Sequence, residues 1–187
     1  MTKNFSLAIF RTLCYNIDTF DTDMEIFMKI RKGTLGDLDE IMEVYAAAKS
    51  YMIANGNRSQ WNNGYPQRAL IEEDIAKGQC YVCEEDGIHG VFAFILGEDP
   101  TYLSIQDGAW KNNHPYGTVH RIGSDGKTRG IFKAALDFCQ SISPELRIDT
   151  HENNHIMQKL ILDYGFERCG IIFIEDGTPR IAYQYEA

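Results

Sequence analysis

The sequence has no long apolar run. No stretch approaches the roughly 20 consecutive apolar residues that cross a bilayer, so no membrane partner is expected. It also lacks a surplus of cations: 18 Lys and Arg stand against 27 Asp and Glu, for a net charge of -9. A nucleic acid is therefore not expected as the main partner, because polyanions are held mostly by clustered Lys and Arg. The five cysteines, Cys14, Cys80, Cys83, Cys139 and Cys169, lack the even count and regular spacing of a disulfide framework, so free thiols are expected. The N-terminal "FSLAIF" is too short for a signal core and has no small-residue cleavage site, and the expected location is the cytoplasm. Metal-ligand spacing is missing too. Cys80 and Cys83 fall in a strand-like segment, where residues three apart point to opposite faces, and they read as core. His151, Glu152 and His155 in "THENNH" lack the H-E-x-x-H spacing that places two imidazoles on one helical face, so no metal is expected. Repeats and low-complexity segments are absent as well.

At 187 residues, 44% hydrophobic and 24% charged, the chain has the size and balance of one globular domain. Residues 1–27 show no sustained period and are read as an extension outside the fold, with Met28 a candidate start; the domain is expected over 28–187. Thr34 with Asp37 resembles a capping box, and Leu38, Ile41, Met42, Tyr45 and Ala48 follow helical spacing. After the polar loop "NGNRSQWNNG", Pro66 suits the first turn of a second helix carrying Leu70, Ile71 and Ile75, with Gly78 at its stop. "QCYVCEE" and "IHGVFAFIL" flank Asp86-Gly87, a hairpin signal, and "TYLSIQ" and "YGTVHRIG" read as further strands. A helix over 130–142, the strand "LRIDT", a helix over 156–164 and a strand pair around Asp176-Gly177 complete the series. This order predicts a mixed sheet, a meander followed by a crossover that sets strand 146–150 parallel to strand 117–122.

The segment "RIGSDGKTRGIFKAAL" places Gly123, Gly126 and Gly130, with Arg121, Lys127, Arg129 and Lys133, where a strand gives way to a helix. A glycine-bearing loop that opens a helix presents unpaired N-H groups to an anion, and the helix dipole adds partial positive charge, so phosphate is the expected guest. The spacing fits neither a P-loop nor a Rossmann fingerprint, although Gly126-Lys127-Thr128 supplies half of the former.

From residue 28 onward the chain resembles the GNAT-type N-acetyltransferases, in a bacterial subgroup. The resemblance rests on Lys127-Thr128-Arg129-Gly130-Ile131-Phe132, set against the pattern Q/R-x-x-G-x-G/A, and on Asn154 standing eleven residues before Gly165-Phe166. "QWNNGYP" and "DTHENNHIMQKL" add to it. It implies an α/β (α+β) fold with a mixed, mostly antiparallel central sheet and helices on both faces. It further implies acetyl-CoA as acyl donor, held by Ile122, Lys127, Thr128, Arg129, Gly130, Ile131 and Asn154, and an acetyl group passed directly to a primary amine of a small molecule or protein. Lys127 and Phe132 depart from the motif, and Ile161 occupies the slot where the family frequently has a Tyr that protonates the leaving thiolate; Tyr164, about one turn along, is the substitute candidate.

An alkyl amine is neutral about once in a thousand molecules at pH 7.4, so a base is expected, and His120 on the strand beside the cleft is the first candidate, with Asp107, His151 and Glu152 as weaker ones. The resemblance also implies that backbone N-H groups around Ile122 polarise the thioester carbonyl. Trp61, Tyr65, Trp110 and Tyr116 are aromatics in loops, either lining an acceptor pocket or anchoring the surface. A catalytically silent CoA-binding or regulatory module of the same fold is the alternative from another class, and a nucleotide-binding domain using the same loop is a third reading. A homodimer is compatible with the sequence.

Overall fold

Residues 28–187 are described by a computed structural model; the expected extension 1–27, with Cys14, lies outside the described residues. The strands are β1 (Lys29–Lys32), β2 (Cys80–Glu84), β3 (Ile88–Leu96), β4 (Gly117–Ser124), β5 (Glu145–Thr150), β6 (Glu167–Phe173) and β7 (Pro179–Glu186), and the helices are α1 (Leu38–Ala54), α2 (Arg68–Ala76), α3 (Ile131–Ile142) and α4 (His155–Tyr164). The strands form one seven-stranded sheet in the order β1-β2-β3-β4-β5-β7-β6. All pairings are antiparallel except β4 with β5, where Gly117, Thr118 and Val119 face Leu146, Arg147 and Ile148. The expected parallel crossover is therefore present.

Local chemistry accounts for most element ends. The Asp37 carboxylate accepts from the backbone and hydroxyl of Thr34, both at 2.8 Å, and opens a 3-10 turn that runs into α1. Asp86-Gly87 lies in the tight connection between β2 and β3, where Glu85 N-H donates to Gly87 O. Gly165 ends α4 in the left-handed region, φ 113°, which a side chain would strain. Two expectations are corrected. Pro66 precedes Gln67, the N-cap of α2, and so lies outside the first turn. Residues 101–106 are not a strand: Pro100–Tyr102 is a 3-10 turn, and only Gln106 bridges the sheet, to Ile171. Asp99 accepts from Thr101 N at 2.8 Å and Thr101 Oγ1 at 2.6 Å with Pro100 in the first turn, and that cap outweighs the strand propensity of the run.

Burial splits about the sheet. On one face α3 and α4 cover Phe92, Phe94, Val119, Leu146 and Ile148, with Leu136 and Ile161 fully buried from the helices. On the other, α1 and α2 pack over Cys80, Val82 and Val91. Cys80 and Cys83 thus point to opposite faces as expected. The connection 97–116 covers the remaining part of this second face with Tyr102 and Tyr116 over Ile172 and Ala182. Each buried aliphatic side chain contributes about 1.5–3 kcal/mol by leaving water. Close approach matters at Gly90: a Cβ there would meet Ile131 Cγ2 at 2.4 Å, so only glycine lets the start of α3 settle on β3.

Candidate active site

The site begins where β4 and β5 part. Their ladder stops at Val119 and Ile148, although β4 runs on to Ser124 and β5 to Thr150. On its other side β4 carries one surplus residue: Val91 pairs Gly123 and Ala93 pairs His120, two steps on β3 against three on β4. Arg121 takes up the surplus at φ 51°, a conformation that costs about 1 kcal/mol or more for a residue with a Cβ. Its guanidinium repays that strain by gripping Asp74 of α2 at 2.9 and 3.0 Å, both side chains buried. The fork and the bulge together open a cleft of about 870 Å³.

His120 stands in this cleft between two carboxylates. Its Nε2 lies 2.8 Å from Asp99 Oδ2, and its Nδ1 lies 3.9 Å from Asp149 Oδ1. Asp149 Oδ1 also accepts from the buried Tyr102 hydroxyl at 2.7 Å, and Arg180 Nε approaches Asp149 Oδ2 at 3.8 Å. Burial opposes the charge on Asp99, but hydrogen bonds from His120 and Thr101 outweigh it and hold this carboxyl down at about 2. With Asp99 ionised and acceptor-only, the proton of neutral His120 belongs on Nε2, which leaves Nδ1, 3.9 Å from Asp149 Oδ1, as the unprotonated nitrogen.

Amides cross the cleft. Gln60 Oε1, from the loop between α1 and α2, receives Asn57 Nδ2 at 2.8 Å, Asn154 Nδ2 at 2.9 Å and Thr150 Oγ1 at 3.5 Å. Asn154 caps α4 as well, its Oδ1 accepting from Met157 N at 3.2 Å. His151 Nδ1 accepts from Asn153 N at 3.1 Å and Nε2 faces Ser59 Oγ at 3.3 Å. Burial first, then nearby Arg180, lowers its pKa, and with both ring nitrogens facing protein groups His151 does not border the cleft.

The loop 125–130 lies between Ser124 and Ile131, both of which border the cleft. Gly126 and Gly130 each adopt φ 80°, and Gly130 is the N-cap of α3, with no side chain to cover the first turn. The loop is tied to the start of β3 by His89 Nδ1 to Asp125 Oδ2 at 3.0 Å and to the β2–β3 connection by Thr128 Oγ1 donating to Glu85 Oε2 at 2.9 Å. The expected cationic patch is weaker than its composition: Arg121 is spent on Asp74, Lys127 lies 3.3 Å from Asp125, and Lys133 lies 2.6 Å from Asp137. Ile131 turns its side chain into the core. Ile122 and Phe132 border the cleft, while Lys127, Thr128, Arg129 and Gly130 lie outside its wall on the loop.

Tyr164 does not reach the site. Its hydroxyl donates to Asp137 Oδ1 at 3.0 Å and Gln140 Oε1 at 3.1 Å, and burial with the Asp137 contact pushes its pKa up. The expectation that it substitutes for the missing acid is corrected: three positions along α4 turn it onto α3, away from the cleft. Ile161 is fully buried core. Asp107 and Glu152 are exposed and do not border the cleft. Trp61 and Tyr65 line it, whereas Trp110 and Tyr116 clamp the Arg147 guanidinium at 4.0 and 3.8 Å beneath the connection 97–116. Asp99, Asp149, Asp74 and Gln60 were not singled out in the sequence; Asp99-Pro100-Thr101 carried a capping signal, and Asp149 was an acid in an otherwise buried strand.

No family model and no curated protein matches the chain. Solved structures do. A GNAT-family acetyltransferase from Streptococcus agalactiae is 33% identical, with a TM-score of 0.77 over 86% of this chain and 95% of that one. A GNAT-family acetyltransferase from Listeria monocytogenes is 20% identical, with a TM-score of 0.64 over 86% and 95% of the two chains. A GNAT-superfamily phosphinothricin acetyltransferase from Sinorhizobium meliloti, in complex with acetyl-CoA, shares the fold at 14% identity and a TM-score of 0.58 over 85% and 88%. With the forked β4–β5 pair, the bulge at Arg121 and the glycine-capped α3 already in place, the likeness to the streptococcal enzyme settles the family: the chain belongs to the GNAT acetyltransferases.

Proposed function

We propose that the chain transfers the acetyl group of acetyl-CoA to a primary amine by direct attack, with His120 as general base and Asp99 as its positioning residue. One observation carries this reading: the Asp99–His120 pair lines the cleft at the mouth of the β4–β5 fork, with a second carboxylate, Asp149, 3.9 Å from His120 Nδ1. The glycine-capped start of α3 fits a diphosphate, since a Cβ at Gly126 or Gly130 would meet nothing within 4 Å and the first turn has no side-chain cap. Asn154, Ile122 and the backbone of 127–131 are the proposed donor-binding groups. Acetyl-CoA, when bound, supplies an acetyl group on a thiol leaving group.

The residues of the cleft then divide the work. An alkylammonium first loses one proton to solvent, at a cost of roughly 4 kcal/mol at neutral pH; the neutral amine then attacks the acetyl carbon, and His120 Nδ1 takes the second proton from the nitrogen as the C–N bond forms. The resulting imidazolium lies between Asp99 and Asp149, which offset its charge. The bond to sulfur breaks and the electron pair leaves on the thiolate. Neither Ile161 nor Tyr164 offers it a proton, but a thiol with pKa near 8.5 costs under about 2 kcal/mol to release unprotonated. Acetyl-CoA and a panel of amines in a free-thiol release assay test the proposal. Turnover that His120→Ala removes is expected; tight acetyl-CoA binding with no release across the panel would instead support the silent module, the reading favoured by the missing acid.

A further inference from the structure

Both ends of the loop 125–130 are fastened to two successive residues of β3. At its start, Asp125 N-H donates to His89 O at 3.1 Å, and Asp125 Oδ2 lies 3.0 Å from His89 Nδ1. Just past its end, Ile131 settles on Gly90, where a Cβ would collide with Ile131 Cγ2. Asp125 carries the constraint into the loop: its Oδ1 accepts from Lys127 N-H at 3.0 Å, next to Gly126, whose N-H donates to Ser124 Oγ at 3.1 Å. The shape of the glycine loop is thus set from His89 through Asp125.

The partners of His89 fix its charge. Its Nε2 lies 2.6 Å from Asp86 Oδ1, so each ring nitrogen faces a carboxylate oxygen. Ionised carboxylates only accept, and a neutral imidazole has a single N-H to give. Two such partners at once require the imidazolium. The other charged groups around it are Glu40 of α1, whose Oε1 accepts from Ile88 N-H at 2.7 Å, Glu85, which accepts from Thr128, and Lys127, whose Nζ lies 3.3 Å from Asp125 Oδ2. Burial decides which charges matter. The side chains of His89 and Asp125 are 11% and 8% exposed, against 79% for Asp86 and 75% for Lys127, so water screens the last two and not the His89–Asp125 pair. Without the imidazolium proton, Asp125 would keep only the exposed Lys127 to offset it, in a loop proposed to receive a diphosphate. Asp125 first and Asp86 second raise the His89 pKa, so the proton is held at neutral pH and lost as pH rises through that raised value.

Resting on the donor-binding reading given above, we infer that His89 is a positioning residue for acetyl-CoA: as an imidazolium it pins Asp125 and keeps the glycine loop shaped and charged for the diphosphate. Affinity for acetyl-CoA is then linked to one proton. It is full while His89 is charged and weakens as that charge is lost. The ligand does not mask the effect, because a phosphate monoester completes its titration near about pH 6.

Calorimetry with acetyl-CoA, paired with NMR of the imidazole nitrogens of the full chain, tests this without any substitution. Both His89 nitrogens are expected to carry protons near pH 7, and Kd should rise about three- to tenfold as one is lost on the alkaline side. His89→Gln should give the weaker Kd at every pH and raise KM for acetyl-CoA to match, with kcat and the amine KM held within about twofold. The double variant His89→Gln/Asp125→Asn should regain at least about half of the lost affinity, because no buried carboxylate is left to offset; two purely structural losses would add instead. A neutral His89 near pH 7, a wild-type Kd that does not change with pH, a His89→Gln loss that falls on kcat as much as on KM, or additive losses in the double variant would each overturn the inference. Wild-type protein that binds no acetyl-CoA at any pH would remove the donor-binding reading itself, and this inference with it.

Discussion

The two ends of the cleft are made of different material. At the α3 end the proposed anion position is main chain: two glycines at φ 80°, an uncapped first turn, and cations that are exposed and largely engaged by Asp125 and Asp137. At the His120 end the chemistry lies in largely buried side chains: Asp99 bonds His120, Tyr102 bonds Asp149, and Arg180 lies 3.8 Å from Asp149. Backbone donors cannot be lost by substitution except through shape, whereas a buried side-chain network fails when any member is removed. The first end therefore tolerates sequence drift such as Lys127 and Phe132, and the second should not.

His120→Ala puts that contrast to its hardest test. We expect kcat/KM to fall by about 10²–10⁴-fold with little change in acetyl-CoA affinity, measured by steady-state thiol release and calorimetry. Gly130→Glu should do the reverse: about tenfold or more weaker acetyl-CoA binding, from strain at positive φ and repulsion of phosphate, while Gly130→Ala reports the strain alone. An unchanged affinity in the Glu variant would mean that the α3 end is not the anion site. Acid titration separates the ends by stability. Asp99, held at about 2 against an ordinary 3.8, contributes stability that is present above about pH 4 and lost as pH falls toward 2, on the order of 2 kcal/mol. Asp99→Asn should flatten that limb in urea melts. The smallest effect concerns His89, whose pKa is raised by Asp125 first and Asp86 second. Its contribution is fully present below about pH 6.5 and lost as pH rises through the raised folded value, so Asp125→Asn should lower stability weakly on the acid side and leave the alkaline side less changed, read in urea melts across that range.

Legibility in the sequence follows the same division. The glycine loop, the helix behind it, the parallel crossover and the opposite facing of Cys80 and Cys83 could all be read, because each depends on residues close in the chain or on a strict period. The His120 network could not be assembled, since Asp99 and Asp149 reach it from 21 and about 29 positions away and Gln60 meets Asn154 across 94. No local pattern marks such meetings. The segment 101–106 misled for a related reason: its strand propensity was real, but the Asp99 cap and the burial of Tyr102 decided its shape. Tyr164 failed on direction, because a shift of three along a helix preserves the face only roughly and here turned the hydroxyl onto Asp137.

β7 lies between β5 and β6, so the segment latest in sequence among the described strands is interior to the sheet. During synthesis β6 emerges before β7, its one strand neighbour in the sheet, and while residues 179–186 remain inside the ribosome its edge is open to any stray strand. The fork that houses His120 has one of its arms, β5, unsupported for the same interval. Catalytic competence in a nascent chain should therefore appear abruptly, with the arrival of this one strand, and not by degrees.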